Sequence, residues 1–201
     1  NTVTKNRLFT SADIIVPLEE YPAEFAHNRS WNLVGNPYPC YFDMHSLKDN
    51  FYTPIVLWLG SSYQAYSPVD DDIILRPNEA FFVQRPIDVE QMVFGAEGRM
   101  HYNDALAATY NNTNKPGVKY APARSINGAE RNVFNFTLEG CGSDNRARIV
   151  MNEKATMGYD LDRDAAKFFA STPMGAEIYV DGDVKYDICE RPLAEGTAKL
   201  A

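Results

Sequence analysis

The chain of 201 residues is poor in cysteine, poor in histidine and short of positive charge, and each shortage closes off a class of function. Lys and Arg total 19 against 27 Asp and Glu, a formal net charge of −8. Nucleic acids and anionic membranes demand a basic face, so neither is expected as the main partner. The three histidines, His27, His45 and His101, are scattered without ligand spacing, which leaves no zinc site legible. Three cysteines leave one unpaired at best. Cys141–Cys189 is a candidate bridge in an exported protein, and a pair of buried thiols is the alternative. No apolar run reaches the ~18 residues of a bilayer crossing, so no membrane span is expected. The zinc-protease, nucleophile-elbow, P-loop and dinucleotide-binding patterns are all missing. The first residue is Asn1 rather than Met and no signal peptide is legible, so a fragment or a mature product is expected.

What the sequence does hold is aromatic. Twelve Tyr and eleven Phe lift the aromatic fraction to 12%, and such rings suit pleated, half-buried surfaces. Short β-branched runs recur at about ten-residue spacing between Pro, Gly and Asn, the pattern of a sandwich or jelly roll. In WNLVGNPYP, the residues Trp31, Leu33 and Gly35 share one face, and Trp31 and Leu33 are expected in the core. Pro37 and Pro39 bar the strand from continuing, so the chain must turn there, with Tyr38–Pro39 a candidate cis bond. TPIVLWLG reads as a doubly covered strand, and PVDDDIILRPNEAFFVQRP as two strands joined by the turn Arg76–Glu79.

Residues 104–128 are Asn-rich and broken by proline, which suggests a linker or long loop. A second β-rich half follows, in which Phe134, Phe136 and Leu138 are expected to face the core. One short helix is expected near 162–170, where Ala165, Phe168 and Phe169 stand at i, i+3, i+4. The fold class is therefore all-β, with two sandwich-like or jelly-roll-like halves, residues 1–103 and 129–201, the second cut short at its C-terminus.

Two chemistries are weighed. Asp160, Asp162 and Asp164 alternate like the opening ligands of a calcium loop, and Asp70–Asp72 offer further oxygens. The glycine of such a loop is replaced by Ala165 and no Glu stands at the twelfth position, while capping by Asp162 explains the spacing without calcium. For sugars, exposed rings can lie on pyranose faces, and the candidates are Trp58, Tyr63, Tyr66 and Tyr41. Trp58, inside an apolar strand, also reads as core.

WNLVGNPYP, then the strand IVLW about 25 residues on, then RPNEAFFVQRP, resemble a module common in secreted and surface proteins of Bacteroidota. Its usual form is a GWNLIGNPYPS stretch followed by two such strands. NRARIVMNEKATMGYDLDRDAAKFF and GDVKYDICERPL resemble the region that follows it, which often leads to a type IX sorting domain. Ser30 stands where the module has glycine. The resemblance implies lineage and architecture rather than activity, because such modules accompany hydrolases, lyases and adhesins alike. It implies an extracellular or cell-surface location and an accessory role as spacer or surface attachment. The partners expected are the other domains of the parent polypeptide and a polysaccharide or cell-surface glycan. Carbohydrate binding through the exposed rings is the alternative, and part of a polysaccharide hydrolase or lyase a further one.

Overall fold

The computed structural model describes residues 12–48, 51–104, 118–120, 131–139, 145–171, 175–192 and 199–200. The chain is all-β. The first half carries β1 (Ile14–Pro17), β2 (Trp31–Gly35), β3 (Tyr41–Asp43), β4 (Ile55–Trp58), β5 (Tyr63–Tyr66), β6 (Asp71–Leu75), β7 (Ala80–Gln84), β8 (Gln91–Phe94) and β9 (Arg99–Met100). Then come β10 (Val118–Tyr120), β11 (Arg131–Leu138), β12 (Asn145–Asn152), β13 (Ala165–Ala166), β14 (Val180–Asp181), β15 (Lys185–Arg191) and β16 (Lys199–Leu200). Among the described residues, no helix is long and apolar enough to cross a membrane.

One layer is the sheet β2-β7-β4-β5. Facing it lie β10-β6-β3-β9 and the pair β1-β8. Alternation sends Val34, Ile55, Leu57, Tyr66, Phe81 and Val83 from the first layer into one core with Phe42, Ile73, Leu75, Met92 and Phe94 from the other two sheets. The proline-rich bend joins the layers, and Asn36 is its keystone. The buried Asn36 amide donates to the carbonyls of Cys40 (2.8 Å) and Arg76 (2.9 Å) and accepts from the Tyr38 N–H (3.0 Å). Buried Tyr38 then sets its hydroxyl 2.9 Å from the Phe94 carbonyl. Among the described residues every peptide bond is trans, Tyr38–Pro39 included. The Arg76–Glu79 turn closes with a bond from Glu79 N–H to Arg76 O, and Asn78 takes the positive φ of 59° that a turn of this kind asks at its third position.

The face of the β2 sheet turned away from that core carries Trp31, Leu33, Val56, Trp58, Tyr63, Ala65 and Phe82, as the pairing register requires. The second half packs there. Its sheet runs β11-β12-β15-β14-β16, mixed because β12 and β15 are parallel. Val150, Ala165 and Ile188 form a cluster with Val56 and Ala65, while Ala147, Ile149, Tyr186 and Cys189 hold a separate core.

Several expectations are corrected. No helix covers residues 162–170. Asp160–Arg163 closes a turn, and Ala165–Ala166 pair antiparallel with β15 across a bulge. A helix of two turns is costly to nucleate, and β15 offers ladder partners at once. Leu33 is 66% exposed and Trp31 half-buried, with Val34 the core residue of β2, because Val34 is the apolar residue on the face turned between the layers. Phe134 is 50% exposed, since β11 is an edge strand and Val133 faces the packed side. Val118–Tyr120, within the stretch expected as linker or loop, add an edge strand to β6.

Candidate functional site

The two halves meet along a seam rich in charge. Asp70 and Asp71, weighed above as cation oxygens, are instead held by arginines of the second half. The fully buried Asp71 carboxylate accepts from Arg146 Nη1 (2.9 Å) and from Arg148 Nη1 and Nη2 (2.9 and 2.5 Å), and also from the Ser67 N–H (2.8 Å). Burial alone would raise its pKa, but Arg146 and Arg148 outweigh it and hold the carboxyl below the usual range. Arg131 pairs bidentately with Asp70 at 2.7 and 2.9 Å and reaches Glu190, which also meets Arg163. Lys167 lies 2.9 Å from Asp187.

Backbone groups join the seam. On β5, the Ala65 N–H donates to Asp187 Oδ2 and its carbonyl accepts from Arg146 Nη2, so side chains occupy this edge as a further strand would. Gln64 behaves likewise, its amide exchanging bonds with the Arg146 backbone at 2.7 and 2.9 Å.

The rings expected to bind sugar part company. Tyr63 and Tyr66 stand three residues apart on β5 and therefore face opposite ways. Tyr66 is buried, its ring under the Arg146 guanidinium at 5.1 Å. Trp58 and Tyr63 are cross-strand partners flanking the turn at Gly60 (φ 92°), with ring centroids 4.8 Å apart and Trp58 49% exposed. Phe168 from the second half completes the group, 5.7 Å from Tyr63, 5.5 Å from Phe82 and 4.6 Å from Trp31. The result is a partly exposed aromatic platform at the rim of the seam. Trp58 and Tyr63 were legible as ring candidates. Phe82 and Phe168 were not, because their neighbours come from distant strands.

Tyr41 lies elsewhere, in an open groove of about 600 Å³ beside the proline bend. Pro39 and Pro77, from the bend and the Arg76–Glu79 turn, form part of its lining with Cys40, Arg99, His101 and Tyr102. The Tyr41 and Tyr102 rings are 6.0 Å apart and inclined at 49°.

Asp160, Asp162 and Asp164 share one turn, in which Asp162 is exposed while the oxygens of Asp160 and Asp164 are engaged by the chain itself. Asp160 Oδ1 accepts from the Asp162 N–H, and Asp164 accepts from the backbone of Glu190 and Asp160 and from Arg191. Burial pushes the Asp164 carboxyl up to about 6. Among the described residues, no group of three or more His, Cys, Asp or Glu is placed to hold a metal ion. Cys189 is a free, buried thiol pushed up to about 12 by that burial, and Cys141 lies outside the described residues.

Compared with protein-family models, curated proteins and solved structures, the chain matches none.

Proposed function

We propose that this chain is a non-catalytic accessory module of a larger exported or cell-surface protein, serving as a rigid spacer or surface-attachment unit. The ionic seam carries this reading. Five buried charged side chains, Asp70, Asp71, Arg146, Arg148 and Asp187, are spent on one junction between halves. Ion pairs of this kind restrict geometry more than they stabilise, which is what a spacer requires and what a hinged, cleft-forming enzyme avoids. The resemblance of WNLVGNPYP and RPNEAFFVQRP to the Bacteroidota module supports the exported setting and a type IX route for the parent polypeptide.

The test is equilibrium unfolding in urea read by two probes. Both tryptophans lie in the first half, with Trp31 against Phe168 of the second, so fluorescence reports the first half and the seam while far-UV circular dichroism reports all strands. Coincident transitions are expected, and separated ones would defeat the rigid-unit reading.

The aromatic platform favours a second reading, glycan binding. Trp58 and Tyr63 present adjacent faces of the size a pyranose ring covers. Affinity electrophoresis against neutral plant and host polysaccharides checks it: retardation that Trp58→Ala removes is expected, and unretarded migration on every polymer excludes it.

A further inference from the structure

The second half buries a lysine among amide and carboxyl groups. Lys167 follows Ala165 and Ala166, and its N–H extends their pairing with β15 by donating to the Lys185 carbonyl at 2.8 Å. The side chain is fully buried, a rare place for a lysine. Around its Nζ stand Asn145 Oδ1 at 2.8 Å, Asp187 Oδ1 at 2.9 Å, the Tyr63 carbonyl at 3.5 Å and Glu177 Oε2 at 3.9 Å. Asn145 and Asp187 are buried as well. β12, β13 and β15 belong to one sheet, and their pairing gathers Asn145, Lys167 and Asp187 from three separate stretches.

We infer that Lys167 and Asn145 join through their side chains in an intramolecular amide bond, with release of ammonia. Three observations carry this. The nucleophile is held at its electrophile: Nζ touches Asn145 Oδ1, and the Cγ it attacks lies one carbonyl bond, about 1.2 Å, beyond that oxygen. Oδ1 also accepts from the Ile178 N–H at 3.1 Å, so a backbone donor already stands where negative charge develops on attack. Two donors on this oxygen fix which end of the amide is which. The other end, Asn145 Nδ2, is buried and has no hydrogen-bond partner among the described residues. Buried amide donors ordinarily find one, and a nitrogen that departs as ammonia no longer needs it.

Asp187 is the proton carrier. Burial pushes its carboxyl up to about 6, so it takes a proton from its neighbour more readily than an ordinary aspartate. The Lys167 ammonium gives one proton to Asp187 and becomes a nucleophilic amine. Nζ bonds to Cγ, and the carbonyl electron pair moves onto Oδ1. Asp187 then passes its proton to Nδ2. As the pair returns from Oδ1, the Cγ–Nδ2 bond breaks and its electrons leave with the nitrogen as ammonia. Nζ sheds its second proton through the same carboxylate to that ammonia, which departs as ammonium. No further reactant enters. The bond closes a span of 22 residues and restrains the unfolded chain as a disulfide does, in a chain whose Cys40 and Cys189 are free.

The experiment is mass spectrometry of the whole purified chain, its folding checked by circular dichroism and the sample denatured before injection. A mass one ammonia below the sequence value is expected, with a branched tryptic peptide joining Lys167 to Asn145. Lys167→Arg and Asn145→Ala should each show the full mass of their own sequences, and Asp187→Asn should leave the two residues unjoined. A folded wild-type chain at full sequence mass overturns the inference. So does a loss of ammonia that persists in Lys167→Arg, as ring closure at Asn127-Gly128 would produce. Loss of water with a branch from Lys167 to Asp187 overturns the choice of Asn145 as acceptor, and undiminished linkage in Asp187→Asn overturns the carrier role. None of these results touches the spacer reading, which rests on the junction between halves, whereas this bond lies within the second.

Discussion

Replacing Asp71 by Asn removes one charge from the seam and almost no volume. Two guanidinium groups, Arg146 at 3% and Arg148 at 1% exposure, then lose their shared anion in a space that water does not reach. Breaking a buried pair from one side costs about 3–5 kcal/mol, and two arginines lose their nearest carboxylate together here, Arg148 keeping Asp70 at 3.8 Å. In a domain of this size each kcal/mol moves the thermal midpoint by about 2–4 °C, so a fall of about 6–20 °C is expected. Urea unfolding followed by fluorescence should show the midpoint shift with an unchanged slope. The companion variant is the triple replacement Asp71→Leu, Arg146→Met, Arg148→Met, which removes these three charges at once and leaves Asp70 to Arg131. It should recover most of the lost stability, because the cost lies in unpaired buried charge rather than in the missing bonds. The carboxyl is held low by its arginines, so its contribution is present above the ordinary carboxylate range and is lost as pH falls through the lowered folded value. A loss below about 1 kcal/mol for Asp71→Asn, the worth of an exposed pair, would refute the argument.

Three further outcomes follow from the same structure. Asn36→Ala leaves the Cys40 and Arg76 carbonyls and the Tyr38 N–H without their shared partner, and should cost about 2–4 kcal/mol by chemical unfolding. Asp164 and Asp187 are pushed up to about 6 by burial, against 3.8 as their ordinary value. Between about pH 4 and 6 the folded chain therefore holds protons that the unfolded chain has released, and their share of stability falls as pH rises through that window. Asp164→Asn should flatten this part of the stability profile, measured as urea midpoints at pH 4.5 and 6.5. Phe168→Ala opens the space between Trp31, Tyr63 and Phe82; it should cost about 2–3 kcal/mol and shift the tryptophan emission to the red as Trp31 gains water.

The β-architecture was legible because alternation and proline are local signals. Ile55–Leu57, Phe81 and Val83 announce buried strands by composition alone, and Pro37 and Pro39 forbid the continuation of β2 whatever surrounds them. Which face of a strand is buried is a different matter. Leu33 looks like core in a five-residue run, yet it is Val34 that points between the layers. The stretch around Phe168 carries helical spacing, and β15, twenty residues downstream, supplies the ladder that overrides it.

Residue chemistry by itself thus determined an acidic, aromatic, strand-built chain that turns at a double proline. Only tertiary structure decided that Asp70 and Asp71 meet arginines from beyond residue 130, that Trp58 and Tyr63 share a rim with Phe168, and that Tyr41 faces Tyr102. The physical reason is sequence distance. Strand patterns are set by neighbours two residues away, whereas an ion pair or a ring contact depends on which edges the folded sheets bring together, and no short-range signal encodes that pairing.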